Sequence, residues 1–252
     1  MSRQSPPILI SLSSFGRELA LDLGQAALAE IVAQAGADGV EYRGELQRSE
    51  PGEIAAQRGV AQAHGLVTVW SSPEGIWDAA GELDRGALER AFATAAELGA
   101  YRVKMSLGGY RCGCDLEPLR PWATRTDIEL VVENDQTEQA GTQAPLQDFF
   151  RRARALGWPV PMTFDMGNWH WTGEDPLACA DDFAAVVGYV HAKGVLRRPR
   201  DWVAVPLPES QAAWRAVLRR LPAHAPRAVE YPLQGEDLVT VTRQAVDGLR
   251  KL

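Results

Sequence analysis

Short apolar runs alternate with amphipathic helical patterns along the whole chain, and this alternation constrains its fold more than any other feature. Strand-like runs are predicted at residues 7–13, 38–43, 66–71, 101–106, 128–133, 160–165, 187–192 and 227–231. Helical patterns are predicted at residues 24–35, 52–64, 84–98, 143–156, 175–184, 209–220 and 236–250. Repeated strand–helix units are typical of parallel sheets, and eight units in about 250 residues predict a closed barrel.

The length of 252 residues is that of one barrel, so we expect a single (β/α)₈ TIM-barrel domain over residues 1–252. Two connections break the regular pattern. Residues 107–126 contain Gly, Pro and Cys but little helical period, which predicts a shortened helix or irregular loop between strands four and five. Residues 194–208 are predicted to form a second long loop. Both would leave from one rim of the barrel, where they could cover a substrate.

Charge and composition exclude several classes of function. The net charge of −7 argues against nucleic acid, whose phosphates need a basic surface. No apolar run approaches the ~18 residues of a membrane span, and the four-residue apolar stretch near the N-terminus is too short for a signal peptide. The odd number of cysteines, three, indicates a reducing compartment. We expect a cytoplasmic protein that acts on a small polar molecule, with a homodimer as the default assembly.

Four residues with metal-binding chemistry each close one of the predicted strands: Glu133, Asp165, His191 and Glu230. Successive members are separated by 32, 26 and 39 residues, which is enough for a loop, a helix and the next strand. The carboxyl ends of barrel strands meet at one rim, where TIM-barrel enzymes keep their active sites. The spacing therefore predicts that three carboxylates and one imidazole gather there.

This set of side chains predicts one divalent-metal site. A single acidic residue at a strand end is more often a salt bridge or a helix cap, but four together are hard to explain by packing. Gathered carboxylates repel one another, and a cation relieves that repulsion. Oxygen ligands with one imidazole suit Mn²⁺ or Mg²⁺ best, with Co²⁺ and Zn²⁺ as alternatives. Four protein ligands leave coordination positions open for a substrate.

Further charged residues close neighbouring strands. Glu41 would contact a substrate hydroxyl and Arg43 a phosphate or carboxylate, although an internal ion pair between them is slightly favoured. Lys104 has a similar but weaker signal. Lys193 shares its strand face with His191, so it would either steady a negatively charged oxygen or an acidic substituent of a substrate, or lie at the mouth in water or paired with a carboxylate.

Tryptophan is abundant, with eight residues, and two of them are candidates for substrate binding. Trp70 and Trp169 lie at or just beyond predicted strand ends. Aromatic faces pack on the C–H faces of sugars and exclude water. We expect Trp169 to form a pocket wall, whereas the alternative for both is simple packing of loops against the rim.

The segments VVENDQ, TFDMGN, VHAKG and VEYP resemble the metal-binding strands of the xylose isomerase-like TIM barrels, the sugar phosphate isomerase/epimerase superfamily. The resemblance covers nearly the whole chain and includes ketose epimerases of the D-tagatose 3-epimerase type. It implies that Glu133, Asp165, His191 and Glu230 are the metal ligands. It further implies that Glu133 and Glu230 move a proton next to a carbonyl, on opposite faces of the substrate, through a metal-stabilised enediolate.

Two positions depart from the pattern of that superfamily. Asn168 stands where many members have a substrate-contacting histidine; it can hydrogen-bond a hydroxyl but cannot carry a proton at neutral pH. Gly194 stands where many members have an aspartate. These departures leave the metal set intact but put any particular sugar in doubt.

Several functions therefore stay open. The first is an isomerase or epimerase acting on a ketose or a polyol-derived ketone. The second is a dehydratase of the inosose or dehydroshikimate type on the same scaffold, and the third is a non-enzymatic sugar-binding barrel. A relative of AP endonucleases is disfavoured, because those barrels bind several metals with many histidines and this chain has four.

Overall fold

The computed structural model describes residues 5–252, and its centre is a closed barrel of parallel strands. The strands are β1 (Ile8–Ser11), β2 (Gly39–Arg43), β3 (Val67–Trp77), β4 (Arg102–Gly108), β5 (Glu129–Glu133), β6 (Met162–Asp165), β7 (Val187–Ala192), β8 (Gly194–Arg197), β9 (Trp202–Val205) and β10 (Arg227–Val229). Strands β1 to β7 are neighbours in chain order, and β10 closes the barrel between β7 and β1. The predicted (β/α)₈ architecture is confirmed.

Helices connect these strands on the outside of the barrel. They are α1 (Arg17–Leu23), α2 (Gln25–Gln34), α3 (Glu53–His64), α4 (Arg85–Leu98), α5 (Arg120–Ala123), α6 (Gln143–Ala155), α7 (Trp169–Thr172), α8 (Pro176–Phe183), α9 (Trp214–Arg220) and α10 (Leu238–Arg250). Helix α4 shows why they begin and end where they do. The Asp84 carboxylate accepts the Ala87 N–H at 2.8 Å, and Gly99 ends the helix in the left-handed conformation. Among the described residues, no helix is long and apolar enough to cross a membrane.

Strand alternation decides which side chains reach the barrel interior. Leu9, Val69, Tyr189 and Ala228 form a small buried cluster separate from the main core. Their neighbours along the strands, such as Ile10 and Val190, pack in that main core with the helices. Because side chains alternate along a strand, His191 faces inward with Tyr189. Asp165 pairs in register with His191, so the two side chains lie at the same level at the carboxyl ends of their strands.

The two irregular connections differ in outcome. Between β4 and β5 the chain forms a 3₁₀ turn at Glu117–Leu119 and the four-residue helix α5, which confirms the predicted shortening. The prediction of a loop at 194–208 is wrong, because β8 and β9 form an antiparallel hairpin there. Gly194 permits this pairing, since a Cβ at that position would lie 2.5 Å from the Val205 carbonyl oxygen.

Three other elements differ from prediction. Helix α1 was not predicted; it lies between Gly16 and Gly24, both of which have positive φ angles. Strand β3 continues to Trp77, beyond the expected end at residue 71, and its register shifts after Ser71. The helix expected at 209–220 begins only at Trp214.

Candidate metal centre at the barrel mouth

The four predicted ligands converge at the carboxyl end of the barrel. Glu133 and Asp165 end β5 and β6, His191 lies near the end of β7, and Glu230 directly follows β10. One ligand atom from each residue lies within 4.8 Å of those of the other three. Because the carboxyl ends of parallel strands form one rim, residues separated by up to 97 positions in the sequence become neighbours.

The chemistry of these atoms fits a divalent cation. Glu133 Oε1 and Asp165 Oδ2 are buried and have no hydrogen-bond partner among the described residues. The imidazole nitrogen Nδ1 of His191 lies 2.8 Å from both Glu133 Oε1 and Glu230 Oε2, but only the contact with Glu230 has hydrogen-bond geometry. Buried carboxylate oxygens without donors are costly, and a hard cation satisfies them. The cluster thus has the donor set that Mn²⁺ or Mg²⁺ accepts.

Asp165 is held in place by its own loop. Its Oδ1 atom accepts the backbone N–H groups of Gly167 and Asn168 at 2.7 and 2.9 Å, which leaves Oδ2 turned towards the cluster. Burial is the largest influence on this carboxyl group and raises its pKa to about 7. Asn134 holds the Asp165 backbone on both sides, donating to its carbonyl oxygen and accepting its N–H. The sequence analysis missed Asn134, although its position directly after Glu133 was a usable signal.

Cationic side chains surround the carboxylates. Lys104 Nζ lies 2.5 Å from Glu133, Lys193 Nζ lies 2.7 Å from Asp165 and 3.0 Å from Glu230, and Arg43 lies 2.8 Å from Glu230. The contact between Lys193 and Asp165 Oδ2 is an ion pair without hydrogen-bond geometry, which is why that oxygen has no hydrogen-bond partner. Every carboxylate of the cluster therefore has a positive neighbour.

These charges control the protonation of the cluster. Burial is the largest influence on Glu133 and acts to raise its pKa, but Lys104 and His191 outweigh it and lower the pKa. Burial likewise acts against ionisation of Glu230, yet His191 and Lys193 hold its pKa well below the usual range. For His191, burial favours the neutral ring, whereas the Glu230 and Glu41 carboxylates raise its pKa well above the usual value. Both glutamates are thus ionised and ready to act as ligands.

Glu41 is completely buried and lies on the far side of His191 from the cluster. Its Oε2 atom lies 2.9 Å from His191 Nε2, and its Oε1 atom accepts from Arg43 at 2.9 Å. Although burial acts to raise the pKa of Glu41, His191 and Lys104 lower it well below the usual range. The structure thus favours the internal ion pair over the substrate contact predicted for Glu41.

Two cavities flank the cluster, and Arg43 lines both. One, of about 310 Å³, is also lined by Lys104 and Glu133. The other, of about 270 Å³, is also lined by Lys193 and Glu230. Each is near the lower limit of about 300 Å³ that is common for small-ligand sites. The two glutamates therefore face different cavities at the mouth of the barrel.

The two tryptophans predicted to bind substrate line neither of these two cavities. Trp169 is fully buried in the main core, stacked on Phe183 with ring centroids 5.7 Å apart. Trp70 is in register with Tyr42, packs in the same main core, and lines a separate cavity of about 420 Å³ beside α3 and α4. In both cases the side chain lies in the layer between strands and helices.

Asn168 and Lys193 contact each other below the mouth. Lys193 Nζ donates to Asn168 Oδ1 at 3.0 Å, and Gln136 donates to the same oxygen at 3.0 Å. Asn168 Nδ2 donates to the Asn134 carbonyl oxygen. Asn168 therefore positions Lys193 in this structure, and a substrate contact for either residue stays a prediction.

Comparison with known proteins supports the fold. No protein-family model and no curated protein matches the chain. A fusion protein of a xylose isomerase-like TIM barrel and a 4-hydroxyphenylpyruvate dioxygenase matches with a TM-score of 0.72 and 19% identity; the match covers 99% of this chain but only 42% of the fusion protein. D-psicose 3-epimerase from Clostridium cellulolyticum H10 matches with a TM-score of 0.68 and 12% identity over 97% of this chain and 98% of that one.

The chain has the xylose isomerase-like TIM-barrel fold. This fold also serves other chemistry, since an AP endonuclease, family 2, from Brucella melitensis matches with a TM-score of 0.63 and 16% identity, over 92% of this chain and 95% of that one. A fold shared by an epimerase and an endonuclease does not determine the reaction of a xylose isomerase-like barrel, which has to be argued from its site.

Proposed function

We propose that this protein is a divalent-metal-dependent sugar isomerase or epimerase that transfers a proton at a carbon next to a carbonyl group. The observation that carries the proposal is the convergence of Glu133, Asp165, His191 and Glu230 within 4.8 Å, with its two glutamates facing different cavities. Structural similarity to D-psicose 3-epimerase supports an enzyme of this kind.

In the proposed mechanism, Glu133 and Glu230 act from opposite sides of a substrate that spans the two cavities. One carboxylate accepts the proton from the carbon next to the carbonyl. The other, after taking up a proton from solvent, delivers it to the opposite face of that carbon, and the first carboxylate then gives its proton to solvent. This transfer inverts the carbon. If the proton is instead delivered to the former carbonyl carbon, and the hydroxyl proton passes to the former carbonyl oxygen, the carbonyl moves along the chain.

The surrounding cations stabilise the negative charge that develops on the substrate oxygen. A divalent ion held by the four residues, which we propose to be Mn²⁺ or Mg²⁺, would supply Lewis-acid chemistry at the same place. Lys104, Lys193 and Arg43 all line the cavities, so their charges face the reacting atoms. In a site with little water, such fixed charges act more strongly than they would in solvent.

The proposal also covers the substrate class, the cellular location and the assembly of the protein. The substrate would be a small sugar or a polyol-derived ketone, handled in the cytoplasm without nucleic acid or membrane, by a barrel that pairs as a homodimer. The residues that would contact it are those that line the two cavities, foremost Arg43, Lys104 and Lys193.

A dehydratase is the second candidate, and the position of Lys193 favours it. The hydroxyl group leaves as water when it takes up the proton that Glu230 has removed from carbon, and Lys193, which lines the same cavity, would hydrogen-bond the departing oxygen. Both candidates begin with the same removal of a proton next to a carbonyl. They differ only in the product, because the dehydratase releases water and forms a conjugated enone.

The first experiment measures metal content and proton exchange together. The purified protein is incubated with Mn²⁺, and bound metal is determined by mass spectrometry beside an Asp165→Asn/His191→Ala double variant. We expect about one ion per chain in the wild type and none in the variant, since four ligands define one site. The proteins are then incubated in D₂O with a panel of ketoses, inososes and dehydroshikimate, and deuterium at carbon is followed by NMR.

Each outcome decides between the candidates. Exchange with an isomeric product supports the isomerase or epimerase, whereas exchange with a new enone absorbance supports the dehydratase. Metal binding without exchange on the panel would favour the non-enzymatic sugar-binding barrel. A wild-type protein that binds no ion would overturn the metal-dependent proposal as a whole.

A further inference from the structure

We propose that Glu41 is a positioning residue of the metal centre: it directs His191 Nδ1 towards the ion and holds the cations that contact Glu133 and Glu230. This inference rests on the proposed function, because it assumes that the four-residue cluster binds a divalent ion. It assigns Glu41 to the support of that cluster, in place of a substrate contact.

The two nitrogens of His191 face different partners. Nδ1 lies against the Glu133 and Glu230 carboxylates, and Nε2 lies 2.9 Å from Glu41 Oε2. Glu41 is surrounded by donors, because Ser11 Oγ donates to its Oε1 atom at 3.2 Å and Lys104 lies 3.4 Å from the same atom. A carboxylate in such surroundings accepts, so Nε2 keeps its hydrogen on Glu41. Nδ1, which hydrogen-bonds Glu230 Oε2, is the nitrogen on the side of the cluster, where an ion would take the place of its hydrogen. Hydrogen bonds of this kind orient metal-binding histidines and raise their basicity.

The other oxygen of Glu41 links it to both proposed acid/base residues. Arg43 Nη1 donates to Glu41 Oε1 and also lies 2.8 Å from Glu230 Oε1. Lys104 Nζ contacts Glu41 Oε1 and lies 2.5 Å from Glu133 Oε2. Without the charge of Glu41, both cations would interact more strongly with the glutamates and compete with the ion for them. Asp165 makes no direct contact with Glu41, Arg43 or Lys104 among the described residues; Lys193 and two backbone amides hold it.

The test replaces the charge of Glu41 while keeping its shape. Wild type, Glu41→Gln and a control, Glu117→Gln, are stripped of metal, and Mn²⁺ binding is measured by isothermal titration calorimetry. Glu117 pairs with Arg120 at 2.9 Å, is half exposed and lines neither cavity of the barrel mouth. We expect Glu41→Gln to weaken binding by about 10–100-fold, the usual effect of losing a partner of a metal-binding histidine, and Glu117→Gln to leave it unchanged.

A second measurement needs no variant, and so covers the case in which Glu41→Gln fails to fold. The wild-type protein is labelled with ¹⁵N-histidine and loaded with Zn²⁺, which is diamagnetic, and the ring nitrogens of its four histidines are resolved by NMR. We expect His191 to keep its hydrogen on Nε2 with the ion on Nδ1. A hydrogen on Nδ1 would overturn the inference.

The failure of this inference differs visibly from that of the proposed function. If the wild type binds no ion, the proposed function fails first. If the wild type binds Mn²⁺ and Glu41→Gln binds it equally well, only the positioning role of Glu41 is refuted. An equal loss in Glu117→Gln would also refute it, because the effect would then not depend on the contacts of Glu41.

Discussion

The two halves of the barrel mouth are both rich in buried charge that has oppositely charged neighbours, yet they differ in their hydrogen bonds. On one half, strands β2 and β4 supply Glu41, Arg43 and Lys104, and among the described residues none of their buried charged atoms lacks a hydrogen bond. On the other half, β5 and β6 supply Glu133 and Asp165, each with one buried oxygen that has no hydrogen-bond partner.

This difference distinguishes residues that hold the site in place from residues that would bind the ion. A buried ionic group whose hydrogen bonds are all made within the protein needs no further partner. A buried carboxylate oxygen without a hydrogen bond can instead bind a ligand from outside the chain. We call Glu41, Arg43 and Lys104 the supporting half, and Glu133, Asp165, His191 and Glu230 the ligand half. Beside the substrate contacts proposed for Arg43 and Lys104, the supporting half should then govern stability and ion affinity, and the ligand half should govern proton transfer.

The largest expected effect comes from the ligand half. Glu133→Gln and Glu230→Gln should each lower the rate of proton exchange by about 10²–10⁴-fold, because each removes one acid/base group. The fold should persist, since glutamine has the same shape. Deuterium exchange measured by NMR, with circular dichroism as the test of folding, checks both statements. Glu236→Gln, an exposed change in the loop after Glu230, is the matched control. A variant with near-full exchange would remove its residue from the acid/base pair.

A change in the supporting half should act on stability instead. Lys104→Met removes a buried cation from Glu41 and Glu133, and breaking such a pair costs about 3–5 kcal/mol. Added Mn²⁺ should recover part of this loss, because the ion then neutralises Glu133. The free energy of unfolding, measured by urea denaturation with and without Mn²⁺, gives both values.

Arg90→Met serves as the control for Lys104→Met. Arg90 pairs with Glu74 on the surface, so its loss should leave the unfolding curve unchanged with or without the ion. The division between the two halves is wrong if Lys104→Met lowers the free energy of unfolding no more than Arg90→Met does. It is also wrong if Mn²⁺ gives the Lys104→Met variant no extra stability.

The smallest expected effect comes from Trp169, which lies outside the ligand half. Trp169→Phe should lower the free energy of unfolding by about 1–3 kcal/mol through lost core packing, without changing proton exchange per folded molecule. Trp171→Phe, a change at a less buried position on the same short helix, should have less effect on unfolding. Slower proton exchange in the folded Trp169 variant would indicate that Trp169 forms part of the substrate pocket.

Much of this architecture could be predicted, because in a barrel the place of a residue in the strand pattern also gives its position in space. An apolar run that ends in Glu133 or Asp165 indicates a strand and its carboxyl end. The carboxyl ends of all barrel strands lie at the same rim. The alternation rule placed Lys193 on the face of His191. The same rule, applied to Trp70, places it with Tyr42 in the layer between strands and helices, away from the cluster.

Other features depend on contacts that no local pattern contains. Arg43 pairs with Glu230 across 187 positions of sequence, and Lys104 with Glu133 across 29, so the neutralisation of the cluster could not be predicted. The β8–β9 hairpin was missed because its arginines and prolines resemble a loop. The short apolar run at residues 202–205, after the turn at Pro199, was the available signal.

The cations beside Glu133, Asp165 and Glu230 also bear on the order in which this protein would fold and take up an ion. A zinc finger cannot fold until its ion arrives, because nothing else holds its ligands together. Here lysine and arginine side chains already neutralise the carboxylates, so closure of the barrel would not depend on an ion. An ion bound as proposed would therefore enter a folded protein, and it could be removed and replaced without unfolding the chain.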